Sequence, residues 1–151
     1  MSSPQGLTVS MVMTPFPECL AYDATLAEAA RFLIEEGISG APVVGRDGRA
    51  MRVISTTDVL RTIAAEVFDG TRCPDLSELK RRRVDDIVQR FPVTCEPLDT
   101  LESVCKLMLK QGVHRVIVVM DGSPIGVVSA IDVVRAVSYG KGLCAISPTA
   151  N

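Results

Sequence analysis

Tryptophan is absent from this chain, and aromatic residues of all kinds make up only 4% of it. Stacking of a base on an indole is thereby excluded. There is one histidine, His114. That excludes a multi-histidine metal site, and His114 has no adjacent base or nucleophile to give it a catalytic role. The five cysteines (Cys19, Cys73, Cys95, Cys105 and Cys144) are odd in number, scattered, and form no Cys-x-x-Cys pair. They read as buried, reduced thiols, and a cytoplasmic location follows as the expectation. No apolar run approaches the roughly 20 residues of a membrane-spanning helix. The first ten residues lack the basic-then-apolar order of a signal peptide. Charge of one sign is also missing: the net charge is −2, which argues against a generally basic nucleic-acid binder.

What the chain does have is apolar bulk. Hydrophobic residues are 47% of its 151 positions and the mean hydropathy is +0.28. That is enough for a core and more than a small monomer needs, so an apolar face buried against a partner is expected.

The chain also repeats itself. Slid by about 75 residues, "FPECLAYDATL" lies over "FPVTCEPLDTL" and Gly37 over Gly112. Val53, Ser55, Asp58, Val59 and Arg61 then meet Val127, Ser129, Asp132, Val133 and Arg135. Leu26, Ala29, Ala30, Leu33 and Ile34 follow the spacing of an amphipathic helix, and Leu101, Val104, Cys105, Met108 and Leu109 repeat it. Thr25 with Glu28, and Asp99 with Glu102, have the spacing of N-terminal capping pairs. Gly37 and Gly112 stand where a left-handed helix stop is wanted. Each helix leads to an apolar strand, an Asp-Gly turn (Asp47-Gly48 or Asp121-Gly122), a second strand and a last helix. The unit is therefore strand-helix-strand-strand-helix, a mixed α/β arrangement in which helices cover a sheet.

This gives a first repeat over residues 8–67, a linker with a short helix over 68–83, a second repeat over 84–139 and a flexible tail over 140–151. Lys80, Arg81, Arg82 and Arg83 form a basic run in the linker. It suits a solvated helix face, or contact with phosphate or nucleic acid.

A repeated βαββα unit with Ser-x-x-Asp at the end of its second hairpin strand resembles a tandem cystathionine-β-synthase (CBS) domain pair. The resemblance covers residues 9–61 and 84–135 and is carried by "VSMVMTPFPECLAYDATLAEAARFLIEEGISGAPVV", "VDDIVQRFPVTCEPLDTL" and "GVHRVIVVMDGSPIGVVSAIDVV". It implies two repeats about a pseudo-twofold axis, with two clefts that take adenosine ligands such as AMP, ADP, ATP or S-adenosylmethionine. It also implies a homodimer formed through the helices, acting on an unidentified downstream protein, with no membrane and no nucleic acid as partner.

Ser-x-x-Asp has two uses. As N-cap and third helical residue, the pair satisfies exposed backbone N–H groups. As a ligand site, the helix start and the hydroxyl suit a phosphate, and the carboxylate suits a ribose diol. The resemblance implies that each cleft draws on both repeats. Cleft A would use Ser55, Thr57 and Asp58 with Val93, Thr94, Val113, His114 and Arg115. Cleft B would use Ser129 and Asp132 with Glu18, Cys19, Ile38, Ser39 and Gly40. The His114-Arg115 pair favours phosphate in cleft A, whereas Glu18 and Ser39-Gly40 make cleft B less welcoming. Arg52 stands where the second repeat, like the family, has glycine (Gly126); it would crowd a cleft, add a phosphate contact, or sit solvated on a hairpin edge.

A regulatory adenosine-nucleotide sensor is the function expected. The alternative is a dimerising interaction module with empty, vestigial clefts, in which Ser and Asp are caps only. With no nucleophile–base pair, metal-ligand spacing or phosphate-binding glycine loop, no catalytic residue, metal or cofactor is expected. Mg²⁺ enters only as the counterion of a nucleotide.

Overall fold

The Thr25 hydroxyl accepts the amide of Glu28 (3.2 Å) while the Glu28 carboxylate accepts the amide of Thr25 (2.8 Å). This reciprocal cap starts helix α2 (Leu26–Glu36), which Gly37 stops at φ +64°. The computed structural model in which these contacts occur describes residues 6–68, 76–88 and 90–139. The tail expected over 140–151, residues 69–75 of the linker, Cys73 among them, and Cys144 lie outside them.

The order is α1 (Val9–Val12), β1 (Thr14–Pro15), β2 (Leu20–Ala21), α2, β3 (Gly40–Val44), β4 (Ala50–Ser55), α3 (Thr56–Phe68), α4 (Leu76–Arg81), α5 (Val84–Ile87), β5 (Thr94–Cys95), α6 (Leu101–Gln111), β6 (Arg115–Met120), β7 (Ser123–Ser129) and α7 (Ala130–Tyr139). The expected βαββα unit is thus present twice, as β2-α2-β3-β4-α3 and β5-α6-β6-β7-α7. In each, the first strand runs parallel to the second and the hairpin is antiparallel. The turn between β6 and β7 is Asp121-Gly122, both with positive φ (52° and 82°), the backbone that a two-residue hairpin needs.

The chain forms two compact units. One contains the described residues of Met1–Pro17 and Val93–Asn151, the other those of Glu18–Pro92. The short helix that leads each repeat in sequence therefore packs in the other unit. Val9, on α1, is fully buried in a cluster with Val104, Val116, Val118 and Val128. Val84, on α5, is fully buried with Leu20, Ala29, Val43 and Ile54. The backbone repeats the exchange: Val9 N–H donates to the Asp99 carbonyl (2.9 Å) and Val84 N–H to the Ala24 carbonyl (2.8 Å).

Two sequence expectations are corrected. Helix α6 is capped by Thr100, whose hydroxyl accepts the Ser103 amide, and not by Asp99; Asp99 accepts the Glu96 amide in the preceding turn. Thr100 also bridges to Thr8. Ile34 and Leu109 are exposed rather than part of the buried stripes. At 100° per residue Ile34 lies about 110° around α2 from the centre of the stripe of Leu26, Ala29 and Leu33.

The sheets differ in one strand. In the first unit β1 zips antiparallel onto β7, giving the order β1-β7-β6-β5, while the second unit has β2-β3-β4. A side-chain-free residue allows this close approach: a Cβ on Gly126 would lie 2.3 Å from Met13 Sδ and 3.2 Å from the Thr14 carbonyl oxygen. At the equivalent position of the other unit stands Arg52, and β4 is the outer strand of the described sheet.

Candidate functional site

Both Ser-x-x-Asp motifs form the same cap. Ser55 precedes α3, and its hydroxyl accepts the Asp58 amide at 3.2 Å; in return Asp58 Oδ2 accepts the amide and the hydroxyl of Ser55, each at 2.8 Å. Ser129 and Asp132 repeat these contacts at the start of α7, at 3.3, 2.8 and 2.8 Å. The Asp58 carboxylate is fixed by its own helix start, and so is that of Asp132.

The other carboxylate oxygens meet different arginines. Asp58 Oδ1 accepts from Arg90 Nη2 at 2.7 Å, and the contact spans 32 residues. Asp132 Oδ1 accepts from Arg135 on its own helix at 3.2 Å. Asp58 is the buried charged residue among the described ones, 7% exposed. A carboxylate taken out of water needs such a partner.

The residues expected in cleft A divide between the units. Ser55, Thr57 and Asp58 belong to one; Val93, Thr94, Val113, His114 and Arg115 belong to the other. Thr57 is exposed at the first turn of α3. Thr94 is on β5 opposite Ile117, and the Val93 carbonyl accepts the Ile117 amide. His114 is exposed, and its carbonyl accepts the Ala130 amide at 2.8 Å, where α7 begins. Arg115 stands directly opposite Ser129 in the β6–β7 ladder. Burial lowers its guanidinium below the ordinary arginine value. Within its own unit, the His-Arg pair is thus beside the start of α7.

The residues expected in cleft B divide the other way. Ser129 and Asp132 are in one unit, and Glu18, Cys19, Ile38, Ser39 and Gly40 in the other. The Ser39 carbonyl accepts the Thr56 amide, and Gly40 stands opposite Ser55. Ile38 is half-buried and donates its amide to the Leu33 carbonyl. Glu18 is exposed. The Cys19 thiol is held above its ordinary value by burial and then by the charge of Glu18.

Arg52 is not solvated. Its guanidinium lies over the Phe91 ring, 4.8 Å from the centroid, and Nη1 donates to the Met51 carbonyl. Arg52 and Phe91, with Tyr22, Arg46 and Arg49, line an open groove of about 650 Å³ at the hairpin end of their unit. The basic run is partly structural. The Arg82 carbonyl accepts the Leu26 amide, and Arg83 bonds the Asp23 carbonyl, both at the start of α2. Among the described residues no cluster of His, Cys, Asp and Glu could hold a metal, and no helix is long and apolar enough to cross a membrane.

Sequence reasoning missed Arg90. The signal was present: "VQRFP" puts arginine where the first repeat has Pro15 in "MTPFP".

Two βαββα units, each ending in a serine–aspartate cap, define a tandem-repeat module of mixed α/β class. The family model described as CBS domain matches residues 9–65 and 84–139, and the chain belongs to that family as a CBS pair. An uncharacterised protein of Methanocaldococcus jannaschii is 28% identical over 137 residues, covering 76% of this chain and 82% of that protein. The gamma subunit of 5'-AMP-activated protein kinase from Kluyveromyces lactis is 29% identical over 106 residues, covering 70% of this chain and 31% of the subunit. The chain spans well under half of three further M. jannaschii relatives. Among solved structures, CBSX2 in complex with AMP is 26% identical with a TM-score of 0.73, covering 88% of this chain and 97% of that one.

Proposed function

We propose that this CBS pair is a regulatory module that binds an adenosine nucleotide at its serine–aspartate helix starts. The observation that carries this is Asp58: a buried carboxylate, fixed in direction by Ser55, with its free oxygen held by a mobile type of partner, an arginine side chain. A ribose diol would take that oxygen and a phosphate would sit among nearby cations. The stronger site is the one on Asp58 at the start of α3, where Arg90 supplies a cation, and the weaker the one on Asp132 at the start of α7. The AMP held by CBSX2 and the AMP-activated kinase subunit among the relatives support this choice of ligand. The module acts without catalysis of its own, in the cytoplasm, as a homodimer that carries the signal to another protein. The exposed Leu60 on α3, and Ile131, Val134 and Val137 on α7, are apolar surface suited to that dimer.

One observation favours the alternative, a dimerising module with vacant clefts. Both aspartates are fully engaged in caps and arginine contacts, so they have a structural use without any ligand. A thermal-shift panel separates the two. A ligand at 100 times its dissociation constant stabilises by about 2.7 kcal/mol, or roughly 5–10 °C for this size. A selective rise with AMP, ADP, ATP or S-adenosylmethionine supports the sensor, and a flat panel at millimolar ligand supports the alternative.

A further inference from the structure

We propose that Arg90 decides which ligands Asp58 accepts: it holds the carboxylate in the empty protein and transfers to the ligand's phosphate on binding. Phosphorylated adenosine ligands are then admitted, and uncharged or cationic ones are refused. The proposal rests on the nucleotide-binding reading above.

Asp58 offers one oxygen to a ligand. Oδ2 carries the cap of α3, with two contacts from Ser55 at 2.8 Å, and releasing it would undo the helix start. Among the described residues Oδ1 is held by Arg90 alone, at 2.7 Å. The Arg90 side chain is 66% exposed and Asp58 is 8% exposed in the same pair. The arginine is therefore the partner that moves. A ribose diol that displaces it breaks a charge-assisted bond to a buried carboxylate. A phosphate repays that loss by offering the guanidinium two parallel N–H···O bonds. Adenosine offers nothing in return, and S-adenosylmethionine sets its one carboxylate against a sulfonium and an ammonium that repel the displaced cation.

The position of Arg90 has a local cause. In the other unit the equivalent residue is Pro15, in a strand zipped onto β7 across Gly126. Arg52 replaces that glycine and stacks on Phe91, the residue after Arg90. The Phe91 ring, otherwise exposed, is met by Arg52, and Arg90 next to it reaches Asp58. Asp132 has no such partner from its lead segment among the described residues; it is met by Arg135 of its own helix.

The test is calorimetric titration of the full chain, as wild type, Arg90→Gln and Arg90→Lys, with AMP, adenosine and S-adenosylmethionine. Wild type should bind AMP at least tenfold more tightly than adenosine. Arg90→Gln should weaken AMP by tenfold or more while adenosine and S-adenosylmethionine stay level or improve. Arg90→Lys, which keeps a cation but loses the fork, should fall between, and it carries the test if the glutamine variant does not fold. Equal changes for AMP and adenosine in the variant that folds overturn the role of Arg90 and leave nucleotide binding intact. Failure of wild type to bind any of the three at millimolar concentration overturns both.

Discussion

Arg52 lays its guanidinium over the ring of Phe91, 4.8 Å from the ring centroid. One repeat later Gly126 fills the same position, and the lead segment occupies the space a side chain would take. Gly126→Ala should cost about 1–3 kcal/mol through this overpacking. Gly126→Arg should cost more and strip β1 from β7. Urea denaturation gives the stabilities, and faster hydrogen exchange of the Phe16 amide, which donates to the Ile125 carbonyl, reports the lost pairing. Unchanged exchange in Gly126→Arg would show that the glycine does not govern the strand.

The caps should be measurable one by one. Ser55→Ala and Ser129→Ala should each lower stability by about 1 kcal/mol. Because Ser55 and Asp58 cap each other, Ser55→Ala and Asp58→Asn should not be additive in a double-mutant cycle. Strict additivity would contradict the reciprocal cap.

For ligand binding, Asp58→Asn should weaken AMP more than Asp132→Asn does, with both variants folded by circular dichroism. Unchanged affinity in both would remove the aspartates from the site.

Val9→Ala tests the exchange of lead helices. Val9 is fully buried among residues of β6, β7 and α6, so the truncation should cost about 1–3 kcal/mol. The lost protection against hydrogen exchange should appear in 93–139 and not in 18–68. Loss confined to the first repeat would contradict the packing of α1.

Cys95 predicts an alkaline transition. Burial, and then the charge of Asp99, push its thiol from 9.0 up to about 12. The folded state therefore keeps the proton that the unfolded state gives up near pH 9. The contribution to stability is complete below pH 9 and is lost as pH rises toward about 12, with a slope of at most ~1.4 kcal/mol per pH unit. Cys95→Ala should flatten that slope in denaturation curves taken between pH 8 and about 11; an identical slope would assign it to other groups.

The repeat, its hairpins and the caps at Thr25, Ser55 and Ser129 were legible in the sequence because they rest on local spacing. The cap of α6 was misplaced by one residue because Asp99 and Thr100 are both competent and local spacing does not decide between them. Ile34 and Leu109 were counted as core because composition does not reveal how wide a helix face its neighbours cover. Arg90 escaped because its contact with Asp58 spans 32 residues and local spacing carries no trace of it.

The trading of lead helices affects how such a chain could arise. A single repeat cut along its sequence boundary would carry a plug fitted to its neighbour and leave its own core uncovered. A lone ancestral repeat could have closed its core only by lending its plug to a second copy and borrowing one back. Duplication and fusion would then preserve a partnership that predates the gene. Each half is inherited with its counterpart, and selection on Val9 is selection on a domain some ninety residues downstream.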